Sequence, residues 1–376
     1  MRGKLTVVVL LALALAGCGR PAPAGPSDPA LGFVRHDNAV SAPTTDGGYA
    51  RPGAGIQHLL TVDQCAVGVG VFENGYRDVG ANWLGDTDCT RFSLPVNKPP
   101  TAGDRLPSQG GWDGSGLAAH GAVALNDGSV IGVDSSVQRL APDGSVTTLA
   151  DLHLPWHKPS DETGDSGRAN SVVQSGDRLV IGGGQTVGGH SAALMWTSTD
   201  GGHTLAPVDL PQAEGNYVGP MASSDNTIVA SASAAGGGRL TTWRSTDGGQ
   251  SWQQHEIPGV PGTTSITKVL RTEHGWLIVG SDENRPFLAN SPDGVAWTKA
   301  DTAALGSGMI LDATGGKDED IVLVGASGRC GVVWTTSTGG SWQRGDLGCD
   351  DAPQAVTTLA DGRVIAVGVK DVWVRA

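Results

Sequence analysis

The stretch WTSTDGGHT at residues 196–204 returns as WRSTDGGQSW at 243–252, LANSPDGVAW at 288–297 and WTTSTGGSW at 334–342. Aligned on the second glycine or its equivalent (202, 249, 295 and 340), the copies are 47, 46 and 45 residues apart. A period of that length is the mark of a repeat architecture. Ahead of each box runs an apolar, β-branched segment: LVIGGG from Leu179, IVASAS from Ile228, WLIVGS from Trp276 and IVLVGAS from Ile321. VGVGVF from Val67, VIGVDS from Val130 and VIAVGV from Val364 bring such runs to seven. Short strands separated by Gly, Asn and Asp turns at this period predict an all-β propeller of four-stranded blades. Seven blades are expected. Six remain open, because the first candidate, Gln57 to Val96, carries only a degenerate box at Asp86.

In the third repeat the reading gives an inner strand from Ser171, then strands Leu179 to Gly183, Ala192 to Thr197 and Thr204 to Leu210. The box joins the third strand to the fourth. Asp200 or Asp247 can accept turn N–H groups, glycine takes a positive φ without a Cβ penalty, and the following tryptophan packs back on the sheet. The last repeat offers only three strands, Ala355 to Leu359, Arg363 to Val369 and Val372 to Arg375. An early strand within Phe33 to Val40 is expected to complete it and close the ring, leaving no exposed edge.

The chain of 376 residues has 58 Gly and 21 Pro, 39% hydrophobic and 17% charged residues, which excludes a coiled coil and a disordered polyelectrolyte. Arg2 and Lys4 precede an apolar run from Leu5 to Ala16, too short for a bilayer span, that ends in Leu15-Ala16-Gly17-Cys18. The ending resembles a bacterial lipobox. That resemblance implies cleavage before Cys18, acylation of Cys18 with palmitate-like chains, and residues 18–32 as a Pro/Ala/Gly tether to a propeller over 33–376. Losing Arg2 and Lys4 with the leader takes the net charge from −13 to −15, so nucleic acid is not an expected partner. Export places Cys65, Cys89, Cys330 and Cys349 in an oxidising compartment and predicts two disulfides. Of the three pairings, Cys65 with Cys89 and Cys330 with Cys349 is favoured, since each pair lies within one repeat.

The boxes resemble the Asp-box, or BNR, repeats of bacterial sialidases, sortilin-type receptors and photosystem assembly propellers, over roughly residues 117 to 376. Enzymes, receptors and assembly factors share such boxes, so the resemblance speaks to architecture more than activity. The face opposite the boxes receives long inserts: Asn97 to Gly116, His153 to Arg168 and Pro211 to Pro220. Arg239, Arg285 and Arg329 fall at the second-to-third-strand turns of three successive blades on that face, and forked guanidinium groups suit an anionic ligand. A sialidase resemblance implies these arginines as a carboxylate-gripping triad, Tyr217 with Glu214 as nucleophile pair, and Asp113 or Asp161 as the acid. The Arg-Ile-Pro sequence of that family is missing; Arg51-Pro52 is its nearest counterpart. No GxSxG or GxxxxGK[ST] motif occurs. Pro155 and Pro159 break any helix that would align His153 with His157, so no metal site is expected. The expectation is a monomeric, lipid-anchored, extracytoplasmic binding or assembly propeller without cofactor, its ligand a protein or envelope glycan. The alternative is a sialidase-like exo-glycosidase.

Overall fold

The computed structural model describes residues 30–41, 55–73, 78–94, 116–117, 119–155, 164–234, 239–315, 320–336 and 341–376. Seven four-stranded antiparallel sheets form a ring, a seven-bladed β-propeller. Blade 1 comprises Gly55–Val62, Cys65–Glu73, Asp78–Gly85 and Phe92–Ser93; blade 2, Gly121–Ala124, Val130–Val133, Ser136–Leu140 and Val146–Asp151. Blade 3 is built from Ser166–Ser175, Arg178–Val187, His190–Ser198 and Ala206–Pro207; blade 4, from Asn216–Ser224, Thr227–Ala234, Arg239–Ser245 and Gln253–Pro261. Blade 5 has Ser265–Thr272, Gly275–Asp282, Arg285–Ser291 and Thr298–Lys299; blade 6, Met309–Gly315, Ile321–Ser327, Cys330–Thr336 and Gln343–Cys349. In blade 7 the strands Ala355–Thr358, Val364–Val367 and Val372–Arg375 are completed by the N-terminal Val34–His36. The closing pairs are Val34 with Val374, Arg35 with Trp373 and His36 with Val372. Val40 then bridges to Phe92 of blade 1, so the same segment stitches two blades.

The seven apolar runs are the second strands, buried on both sides by neighbouring blades: Val130–Val133 and Val364–Val367 are buried at every position. Third strands supply the largest buried side chains. Trp83, Trp243, Trp334 and Trp373 are all at most 1% exposed. Each indole N–H donates to a carbonyl in the chain leading into its blade: Ser41 at 3.0 Å, Pro211 at 2.9 Å, Leu305 at 2.8 Å and Leu347 at 3.1 Å. A tryptophan here fills the interblade space and satisfies a carbonyl that burial would otherwise strand.

The boxes make the turn predicted for them. Asp200 accepts the Thr204 N–H at 2.9 Å and the Thr204 hydroxyl at 2.7 Å, while Ser198 Oγ receives the Gly202 N–H at 2.9 Å. Asp247 takes the Gln250 and Ser251 N–H groups, both at 2.9 Å. Even the degenerate box works this way, Asp86 accepting from Thr90 at 2.9 Å. Donated hydrogen bonds, the Thr204 N–H foremost, hold the Asp200 carboxyl below the usual carboxylate range. Burial opposes ionisation of Asp247, but bonds from Ser251, Ser245 and Gln250 outweigh it and push the carboxyl down to about 2.

Three local readings change. The inner strand of blade 3 begins at Ser166 rather than Ser171, and its fourth strand shrinks to Ala206–Pro207, with Val208 N–H still donating to Met195. Pro211 to Pro220 is not all insert, because Asn216 already opens the inner strand of blade 4. The cause is an extended blade 3: its inner hairpin runs past a bulge between Ala169 and Ser171, and the next blade rises against it. Both disulfides form as favoured, Cys65–Cys89 and Cys330–Cys349. Two disulfides point to an oxidising, extracytoplasmic location. Among the described residues no helix is long and apolar enough to cross a membrane.

Candidate functional site

Inner strands in five blades break register at the same level, at residues 57, 170, 219–220, 267 and 311. The residue after each bulge reaches forward to the next blade where it is polar. His58 bonds through Nε2 to the His120 carbonyl at 2.9 Å, Ser171 Oγ accepts the Met221 N–H at 3.1 Å, and Lys268 Nζ meets Asp312 at 2.9 Å. Asp312, 5% exposed, passes the contact on by accepting the Val356 N–H at 2.9 Å. These bonds form a polar layer around the axis that fixes blade to blade.

His58 Nε2 carries the proton, since its partner is a carbonyl. Burial and then the Lys268 charge lower its pKa to about 4, against the opposing pull of Asp312 and the His120 carbonyl. The folded protein therefore keeps this imidazole neutral below the unfolded value of 6.5. Its contribution is complete above pH 6.5 and is lost as the pH falls towards 4, because the unfolded chain binds the extra proton. The expected loss across that window is about 2 kcal/mol, discounted from 1.36 kcal/mol per pH unit for the ring's partial contact with water. Urea denaturation at pH 7, 5.5 and 4 checks it: His58→Gln should flatten the decline, and an equally steep decline in the variant would assign it elsewhere.

Above this layer, on the face where inner strands begin, blades 3 and 4 part into a cleft of about 570 Å3. Ser166, Gly167, Arg168 and Asn170 line one wall, Tyr217 to Pro220 the other, with Gly184 between. The GGG run at 182–184 explains how blade 4 seats there. A Cβ on Gly182 would lie 2.4 Å from Val218 Cγ1, so only glycine admits the neighbour. The Tyr217 ring rests on Gly184 in the same manner. Its hydroxyl bonds to Thr186 Oγ1 and, at 2.9 Å, to Ser191 Oγ, both in blade 3. Asn170 Nδ2 donates to the Val218 carbonyl at 3.3 Å, closing the floor. Arg168 is exposed, and among the described residues it has no ion-pair partner and no carboxylate lines the cleft.

Among the described residues, Tyr217 is thus the one sequence candidate for the site that lines this cleft. Glu214 is exposed two residues before the inner strand, its backbone bridging Ala192, and no hydrogen bond joins it to Tyr217. Arg239, Arg285 and Arg329 do stand at second-to-third turns of blades 4, 5 and 6, all exposed. Arg239 is engaged by Glu256 of its own blade at 2.7 Å and Arg329 by Asp350 at 3.2 Å. Those partners lie on or just beyond the outermost strands, away from the axis. Cys18, Asp113 and Asp161 lie outside the described residues. Arg168 and Asn170 escaped sequence reading, Arg168 as the last residue of an insert and Asn170 as a residue between that insert and the expected start of the inner strand. The available signal was the GGG run, which marks a close approach of something bulky.

No family model and no curated protein matches the chain. Solved structures do. A Lactobacillus plantarum protein superposes with a TM-score of 0.52 at 12% identity, covering 78% of this chain and 85% of the other. The Hadza microbial sialidase Hz136 gives 0.47 at 15%, over 68% and 64%, and YCF48 bound to a D1 peptide gives 0.36 at 16%, over 48% and 57%. This chain therefore spans less than two thirds of the latter two. At such identities the likeness establishes the propeller fold alone.

Proposed function

We propose that this chain is a lipid-anchored, extracytoplasmic β-propeller that binds a protein or envelope glycan through its insert face and performs no catalysis. One observation carries the reading: three of the residues a sialidase-type mechanism would need, Tyr217, Arg239 and Arg329, are engaged by other partners. The Tyr217 hydroxyl is held by Thr186 and Ser191, not presented to Glu214, and Arg239 and Arg329 are paired within their own blades. A nucleophile needs its base within hydrogen-bond reach. What the face offers instead is a cleft with aromatic and glycine walls and the Arg168 guanidinium, which has no ion-pair partner among the described residues, a composition that suits recognition. The leader over 1–17, acylation at Cys18 and the tether to residue 32 would hold that face away from the bilayer.

The second reading, an exo-glycosidase on an anionic sugar, keeps support from Tyr217 lying in a pocket with Arg168. Hydrolysis of a fluorogenic sialoside separates them. The binding reading expects no turnover by the folded protein, and Arg168→Ala to weaken capture of its partner from envelope extracts. Turnover abolished by both Tyr217→Phe and Arg285→Ala would overturn it.

A further inference from the structure

On the opposite face the boxes of blades 3, 4 and 5 each pack against the blade before them. The box glycine of blade 4, Gly249, seats against Val180 of blade 3, and Gly294 of blade 5 against Val229 of blade 4. Gly202 of blade 3 likewise meets Val137 and Leu149 of blade 2. At two boundaries an arginine at the start of the second strand clasps the next box through its carbonyls. Arg178 reaches Asp247 and Gly248 at 3.2 and 3.1 Å, and Arg363 reaches Asp88 of blade 1 at 2.7 Å.

Both halves of this contact are missing between blades 1 and 2. Blade 2 joins its third and fourth strands with the short turn APDGS at 141–145 instead of a box, and Gly144 has nothing within 4 Å of its Cβ direction. Blade 1 has Cys65, locked in a disulfide with Cys89, where blade 3 has Arg178. The seat remains as a cavity of about 340 Å3. Its walls are Val67, Leu84, Val130, Leu140 and Pro142; its rim carries Asp63 and Asp86 and, among the described residues, no basic side chain. Leu84 is 39% exposed, a large apolar side chain that the missing box leaves uncovered. Asp63 makes no hydrogen bond or ion pair among the described residues, whereas Asp86 is turned back on Thr90.

We infer that this vacated box seat is a binding site for an organic cation with an apolar body, an amidinium or guanidinium carried on a ring or aliphatic stem. The apolar part takes the place of the box and its tryptophan between the blades. The cationic head meets Asp63 at the rim, reproducing with opposite polarity the clasp made by Arg178. A charge-assisted bond of this kind favours the cation over a neutral isostere by roughly tenfold. The site lies on the other face from the blade 3–4 cleft, so it stands whether or not that cleft binds anything.

The test titrates the full chain with benzamidine and with benzamide, following saturation-transfer NMR. A second arm uses the blocked dipeptide acetyl-Phe-Arg-amide, which distinguishes a polypeptide source from a small free cation. Benzamidine should bind about tenfold more tightly than benzamide, and Asp63→Asn should bring the two together. Replacing residues 141–145 with the box of blade 4 should fill the seat and remove binding of both probes. Should that graft fail to fold, Asp63→Asn still decides, since it alters one exposed side chain. Equal binding of the two probes, binding of neither, or a cation preference that survives Asp63→Asn would each overturn the assignment.

Discussion

Replacing Arg35 with alanine is expected to destabilise the protein by about 3 kcal/mol, because it strands a carboxylate inside the closing blade. Asp371 is 1% exposed and receives Arg35 Nη2 and, at 3.1 Å, Nε, with the Asn38 N–H on its other oxygen at 2.8 Å. The same guanidinium lies over the Trp373 ring at 5.6 Å and donates to the Cys349 carbonyl at 3.4 Å. Arg35 thus ties the N-terminal strand to blade 7 and to the outermost strand of blade 6. Only three residue pairs form the closing ladder, so the ion pair supplies much of its specificity. Asp371→Asn should cost less, about 1 kcal/mol, since Arg35 keeps partial exposure and a second carboxylate, Asp37, at 2.9 Å. The double variant Arg35→Ala/Asp371→Asn should recover part of the loss, a coupling read from urea midpoints. Amides of Val372–Arg375 should exchange faster in Arg35→Ala alone, because the closing strand covers that edge. Additive losses in the cycle would mean the closing strand is held by its backbone ladder and not by the buried pair.

The sequence carried the propeller because each blade's information is local. Box, apolar run and spacing all lie within one period, and the three-stranded last repeat announced the closing strand. Disulfide pairing was legible for the same reason: both bonds stay within a blade. What escaped depends on one blade meeting the next. His58, Ser171, Lys268 and Asp312 occupy equivalent places only once the bulges have set the register, and no periodicity in four different residue types could signal that. The blade 3–4 cleft was hidden likewise, since Arg168 and Tyr217 are 49 residues apart and face each other only after the ring assembles. The short APDGS turn is by itself an ordinary polar hairpin tip. Its meaning came from the seat it leaves empty against blade 1.

Removing either disulfide is expected to cost roughly 3 kcal/mol, the chain-entropy value for loops of this length. The cysteines are 24 residues apart in Cys65–Cys89 and 19 in Cys330–Cys349, so loop closure alone makes the two nearly equal. Their surroundings separate them. Cys349 is exposed and Cys330 half-buried in directly paired strands, so a Cys330→Ala/Cys349→Ala variant loses the crosslink and little packing. Cys89 is fully buried in the core shared by blades 1 and 7, and alanine there leaves a void as well. Cys65→Ala/Cys89→Ala should therefore be the more damaging by about 1 kcal/mol, the added cost of the small cavity. It should also loosen the blade 1 box, whose Asp88 carbonyl holds Arg363 of blade 7, and so weaken the ring at its seam. Denaturation with and without reductant measures the sum, and the paired variants measure the parts. A midpoint unmoved by reductant would mean that the thiols are free in the isolated protein, and would remove the main structural support for an extracytoplasmic location.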